Sequence, residues 1–217
     1  MSTYLTLARD ASAEIEVKRS RFLCDVARVS TEDEARAVVE RARKQHWEAR
    51  HHCSAFVLGP DGSVQRSNDD GEPSGTAGAP MLEVLRGRGV SDTVAVVTRW
   101  FGGTLLGAGG LVRAYSDAVR AALDEAGLLE RRLLQRFDVT VSHADAGKVE
   151  NDLRARGVTV LGVDYAAQAT LHLAVADTAA DRLPALLAEV TGGGVAAAPA
   201  GSEWVDGPGT GSARPEP

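Results

Sequence analysis

Thr93-Val94-Ala95-Val96-Val97-Thr98 is an uncharged run dominated by β-branched side chains. Such a run predicts a buried strand. Downstream, Leu111, Val112, Tyr115, Val119 and Leu123 recur at helical spacing, which predicts a helix stopping around Gly127. Only the glycine-rich stretch Arg99–Gly110 separates the two. A buried strand feeding an amphipathic helix through a short glycine link calls for layered α/β packing around a real core, which 217 residues suffice to build.

The rest of the first half is mixed in the same way. Glu14–Val17 alternates polar and apolar residues, and Phe22–Val29 holds a second strand-like stretch. Ser30-Thr31-Glu32-Asp33-Glu34 has the pattern of a capping box, followed by Ala35, Val38, Val39 and Ala42 on a helix running to about His46. Cys53–Leu58 predicts a strand, and Gly59-Pro60-Asp61-Gly62 a turn into a hairpin. Pro80 opens a short helix, Met81–Leu85, closed by Gly87. The second half predicts a strand over Leu133–Val141, a helix over Asp145–Arg156 and a hairpin of Val158–Tyr165 with Ala169–Val175. A helix over Thr178–Glu189 behind an Asp177 cap follows, then a short strand near Ser202–Val205. The order βαββα(β) is ferredoxin-like. The expected division is therefore an α+β chain with domains at 1–130 and 131–206, and a disordered Gly/Ala/Pro-rich tail at 207–217.

Two glycine-rich segments carry the candidate site. Between the buried strand and its helix, Gly102, Gly103, Gly107, Gly109 and Gly110 permit positive φ and close backbone approach. The unpaired N–H groups that open the helix, with Arg99 and Arg113 nearby, form a candidate anion site. A tight connection whose glycines only permit packing is the plainer alternative. Neither GxxxxGK[ST] nor GxGxxG is present, which argues against a Walker ATPase or a dinucleotide site. The second segment, Ser67–Pro80, places Asp69, Asp70 and Glu72 within four positions, ahead of Ser74, Gly75 and Thr76. Clustered carboxylates could hold Mg²⁺ or share a proton, but they also cap helices and shape turns. Ser74 lacks the GxSxG elbow of a hydrolase nucleophile. His51-His52-Cys53 has no second ligand cluster to complete a zinc site, so no metal is expected.

Three stretches, Ala49–Ala55, the run DDGEPSGTAG at 69–78, and RWFGG at 99–103 leading to GAGGLVRAY at 107–115, together resemble the YigZ/IMPACT family. Lys18-Arg19-Ser20-Arg21-Phe22 matches its N-terminal basic element. The resemblance is strong over about 15–125 and looser over about 131–205. It implies an N-terminal α/β domain of the ribosomal-protein type, similar to domain IV of elongation factor G, with a C-terminal ferredoxin-like domain similar to domain V. It further implies an association with ribosomes or translation, with motif residues as binding-site candidates and no established reaction or cofactor. The RWD domain of eukaryotic members is not expected, since barely fifteen residues precede the match.

Charge then decides how such a chain could bind. The formal −6 argues against indiscriminate binding to nucleic acid or an anionic membrane. Yet residues 18–50 hold nine basic against six acidic side chains. Lys18, Arg19 and Arg21, with Arg36, Arg43 and Arg50 seven apart along an expected helix face, are the nucleic-acid candidates. The favoured reading is a non-enzymatic, translation-associated protein with RNA, the ribosome or a translation-related protein as partner. The alternative is an enzyme acting on a phosphorylated or nucleotide substrate, with Asp69, Asp70, Glu72 and His52 as acid/base groups. Two cysteines exclude a disulfide framework, and no apolar stretch approaches the roughly 20 residues of a membrane span. Charges throughout 2–18 exclude a signal peptide, so a cytoplasmic location without membrane contact is expected.

Overall fold

Hydrophobic runs and capping residues resolve into a mixed α+β chain with two sheets in the computed structural model, which describes residues 2–210. Two units emerge, one built on Thr3–Arg131 and the other on Arg132–Val205. Of the tail expected to be disordered at 207–217, residues 207–210 instead continue the last strand, and those from 211 on lie outside the described residues.

In the first unit β1 (Thr3–Leu7) precedes the hairpin β2 (Ala11–Val17) and β3 (Ser20–Arg28). Then come α1 (Glu32–Gln45), β4 (His51–Leu58), β5 (Val64–Asn68), α2 (Gly78–Gly87), β6 (Thr93–Trp100) and α3 (Ala108–Ala126). The sheet order is β2-β3-β6-β4-β5, with antiparallel neighbours throughout. β6 is the central strand, and its composition follows from that position. Val94 and Val96 pack with Ala35, Val38 and Ala42 of α1, while Ala95 and Val97 pack with α2 and α3 through Met81, Leu85, Tyr115 and Val119. A strand that feeds two cores reads as continuously apolar rather than alternating. Phe22 meets the Tyr115 ring edge-on at 5.2 Å.

Local signals set the ends of these elements. Thr31 caps α1, its Oγ1 accepting from the Glu34 N–H at 3.1 Å, and Glu34 Oε2 accepts in return from the Ser30 N–H at 2.6 Å. α1 ends at Gln45, where the His46 N–H donates to the Ala42 carbonyl. Lys18 and Arg19 turn the β2–β3 hairpin with positive φ of 47° and 67°, the left-handed pair a two-residue turn of this kind demands.

The second unit follows β7 (Leu128–Val141), α4 (His143–Ala155), β8 (Thr159–Tyr165), β9 (Ala169–Val175), α5 (Asp177–Ala180), α6 (Leu183–Thr191) and β10 (Ala197–Thr210). β9 lies between β7 and β8, and β10 pairs with β7. Val139, Leu171 and Leu173 face Leu153 and Leu187 in one apolar cluster. Asp138 and His172 are cross-strand partners. The carboxylates of Asp138 and Asp164, at 2.7 and 3.1 Å from the two ring nitrogens, hold His172 above its usual range.

Two expectations need correcting here. The single helix over Thr178–Glu189 is two helices, and Asp177 is the first residue of α5 rather than its cap. Pro184 opens α6; without an N–H it cannot continue a helix from upstream but suits a first turn. The last strand is also far longer than the Ser202–Val205 segment expected. Among the described residues, no helix is long and apolar enough to cross a membrane.

Candidate functional site

Antiparallel register brings the start of β3, the start of β4 and the end of β6 to one end of the first sheet. Arg21 lies opposite Trp100, and both Phe22 and His51 lie opposite Arg99. Both glycine-rich segments leave the sheet region beside this end, so the motifs that are separate in sequence converge.

The three clustered carboxylates diverge to three sets of partners. Asp69 Oδ2 accepts from the Gly75 N–H at 2.8 Å, and its Oδ1 accepts from the N–H groups of Ala77 and Gly78 at 3.0 and 2.8 Å. It therefore serves as the anion at the start of α2, whose N-cap residue Ala77 has no capping side chain. Burial pushes the Asp69 carboxyl upward, but the three N–H groups outweigh it and hold the group below its usual range. Asp70, at a positive φ of 44°, accepts from Arg43 Nη2 at 2.8 Å and from the His52 N–H at 2.7 Å. Its carbonyl lies 2.9 Å from His51 Nδ1. Asp70 thus ties α1 and β4 to the loop.

Glu72 is buried, and its Oε1 accepts from Arg99 Nη1 at 2.6 Å and from the Tyr115 hydroxyl at 2.7 Å. The Cys53 thiol sits beneath, 3.0 Å from the Asp69 carbonyl and 3.3 Å from the Tyr115 hydroxyl. Burial pushes that thiol up to about 12 and raises Tyr115 as well, so both are protonated at neutral pH. The His52 ring is buried, which lowers its affinity for a proton, and its Nε2 lies 3.1 Å from the His46 carbonyl. The neutral ring with Nε2 donating satisfies that contact. Among the described residues no group of three or more His, Cys, Asp or Glu is placed to hold a metal ion.

Asp69 supplies a test of this reading. Its carboxyl is depressed in the folded state, so its stabilising contribution is present above the unfolded carboxylate value of about 3.9 and is lost as pH falls through the lower folded value. Asp69→Asn should lower the urea midpoint at neutral pH, and the gap to wild type should narrow on acidification toward pH 3. A constant gap would show that Asp69 acts without its charge.

The Arg99–Gly110 segment is built on close approach. A Cβ on Gly102 would lie 2.0 Å from the Arg19 carbonyl carbon, and the Gly102 N–H donates to Ser20 Oγ at 3.1 Å. Arg19 Nη2 reaches Thr104 Oγ1 at 3.2 Å, so the 18–19 turn and the 101–107 loop form one surface. Gly103 and Gly107 have φ of 84° and 74°. α3 starts at Ala108, three residues before the expected Leu111, with no side-chain cap and no acidic residue in its first turn. Arg113 is exposed one turn further on. Arg99, a candidate anion ligand in the sequence, is instead 6% exposed and engaged with Glu72. Ser74 and Gly75 are exposed on the loop, whereas Thr76 is buried and donates to the Pro73 carbonyl at 2.6 Å.

The six basic candidates separate into two groups. Arg36 pairs with Glu32 and Asp33, Arg43 with Glu40 and Asp70, and Arg21 with Glu14 while lying 4.0 Å over the Trp100 ring. Lys18, Arg19 and Arg50 are exposed and have no carboxylate partner among the described residues. Because α1 ends at Gln45, Arg50 does not continue a helix face with Arg36 and Arg43, which corrects the seven-residue alignment. The sequence reading passed over Trp47, which is 80% exposed, and Leu105, which is 83% exposed. Trp47 was legible in one respect, as a large aromatic residue placed just after the last apolar helix position in a polar stretch.

This is a two-unit α+β protein whose polar motifs fix loops at one end of a sheet. Residues 18–123 match the profile of the Impact N-terminal domain, and residues 139–193 match a profile described as a domain of unknown function (DUF1949). The IMPACT family member YvyE of Bacillus subtilis is 42% identical over 193 residues, covering 89% of each chain. The IMPACT family member YigZ of Escherichia coli is 37% identical over 195 residues, 89% of this chain and 96% of that one. A crystal structure described as that of a hypothetical protein is similar at a TM-score of 0.62 and 36% identity, covering 91% of this chain and 97% of that one. The chain belongs to the IMPACT family.

Proposed function

We propose that this protein is a non-enzymatic, translation-associated binder of RNA or of the ribosome, acting in the cytoplasm. The observation that carries the reading is the division of labour at the sheet end. Asp69, Asp70, Glu72 and Arg99 are bonded within the protein, while Lys18, Arg19, Arg50 and Arg113 stand exposed without carboxylate partners among the described residues. Cations left uncompensated on a chain of net charge −6 favour a local, phosphate-facing contact over indiscriminate attraction. The uncapped, glycine-rich start of α3 adds N–H groups of the same polarity. Family resemblance supplies the link to translation. In the same reading residues 1–130 form a ribosomal-protein-like domain similar to domain IV of elongation factor G, and 131–206 a ferredoxin-like one. The pairing of β7 with both β9 and β10, and of β9 with β8, supports the second assignment. The rival enzyme reading draws no support from carboxylates that already have protein partners.

Binding to RNA, measured as a function of salt, tests the proposal. The logarithm of affinity should fall linearly with the logarithm of salt, with a slope of about −0.7 to −0.9 for each phosphate neutralised. Lys18→Ala with Arg50→Ala should make that slope shallower by about 1.5. Salt-insensitive binding, or none at low salt, would refute it.

A further inference from the structure

The cationic end of the first sheet also carries large apolar side chains that the core does not use. Trp47 is 80% exposed, and it sits between two residues that touch Trp100. The His46 ring lies 5.3 Å from the Trp100 ring, and Trp100 Nε1–H donates to Glu48 Oε1 at 3.1 Å. Phe101 follows Trp100 directly and is 51% exposed. Trp100 itself is already covered, by Arg21 on one contact and His46 on another. Trp47 therefore stands open next to a covered ring, and Phe101 is half exposed with the Arg99 guanidinium 5.7 Å from its ring centroid, beside Lys18, Arg19 and Arg50.

Aromatic faces next to cations without a carboxylate partner among the described residues match one ligand chemistry closely. A single-stranded nucleic acid offers unstacked bases to the rings and phosphates to the cations, whereas a duplex keeps its bases stacked and presents phosphates alone. We infer that this surface takes single-stranded RNA, with bases stacked on Trp47 and Phe101. The inference rests on the RNA-binding reading above and narrows it to unpaired strands. Trp47 and Phe101 act through ring faces, so their contribution is independent of salt, while that of Lys18 and Arg50 is not.

The test is anisotropy titration of the full chain with a labelled single-stranded RNA of about 12 nucleotides and with its duplex. The single strand should bind more tightly than the duplex. Trp47→Ala and Phe101→Ala should each weaken single-strand binding by about 5- to 100-fold, leaving the salt slope and the urea midpoint unchanged. Trp47→Phe should retain most of the affinity. Equal binding of duplex and single strand, with both alanine variants at wild-type affinity, would overturn the stacking inference yet leave salt-dependent RNA binding standing. Absence of salt-dependent binding to either RNA would overturn both, and the exposed rings would then belong to a protein contact.

Discussion

Arg99→Met is expected to destabilise the first unit by about 3–5 kcal/mol, because it leaves the Glu72 carboxylate buried without its cation. Glu72 is 8% exposed and Arg99 6%, and their contact at 2.6 Å is reinforced by the Tyr115 hydroxyl at 2.7 Å. Glu72→Gln should cost less, about 1.5–3 kcal/mol, since an uncharged acceptor remains for both donors. Combining the two substitutions should cost less than the sum of the separate losses, because neither charge is then stranded. Urea unfolding followed by circular dichroism measures all three. If Arg99→Met unfolds within about 0.5 kcal/mol of wild type, the pair is not holding the two loops together, and Arg99 returns as a ligand-binding candidate.

Gly102→Ala and Gly109→Ala should move stability in opposite directions, though both lie in one glycine-rich segment. At Gly102 an added Cβ would fall 2.0 and 2.1 Å from the carbonyl carbon and oxygen of Arg19 and 2.4 Å from the Ser20 nitrogen. These are backbone atoms, so no rotamer change relieves the overlap. The 18–19 turn must separate from the loop, at a cost of about 3 kcal/mol or more. The same separation displaces Lys18 and Arg19, so under the proposed RNA-binding role affinity for RNA should fall with stability. Gly109 lies in the first turn of α3 with nothing within 4 Å of an added Cβ. Alanine there should stabilise the protein by about 0.5–1 kcal/mol, since glycine is the poorer helix former. Unchanged stability in Gly102→Ala would mean that the loop and the turn do not touch.

The sequence showed most of the fold wherever the signal was local. The Thr93–Thr98 run marked the central strand because each of its faces meets a separate core, and the Thr31–Glu34 box marked the start of α1. Where neighbours distant in sequence decide the outcome, it showed less. Glu72 finds its partners 27 and 43 residues away, so nothing within DDGEPSGTAG revealed that its carboxylate is internally paired. The seven-residue spacing of Arg36, Arg43 and Arg50 is a helix face only while the helix lasts, and α1 stops at Gln45. Pro184 carries the signal that splits Thr178–Glu189, whereas the Asp177 cap pattern alone points to one helix. Trp47 was missed for a different reason. A solitary aromatic outside any periodic pattern gives no local sign of whether it is covered, and only its surroundings show it standing in solvent.

The most direct measurement of the central claim is photo-crosslinking of the full chain to RNA in cell extract, with the attachment sites located by mass spectrometry. Attachment is expected at 18–21, 47–50 and 101–113, the three segments that meet at the end of the first sheet. Crosslinks confined to the second unit, or to the ion-paired face of α1 around Arg36, would contradict it.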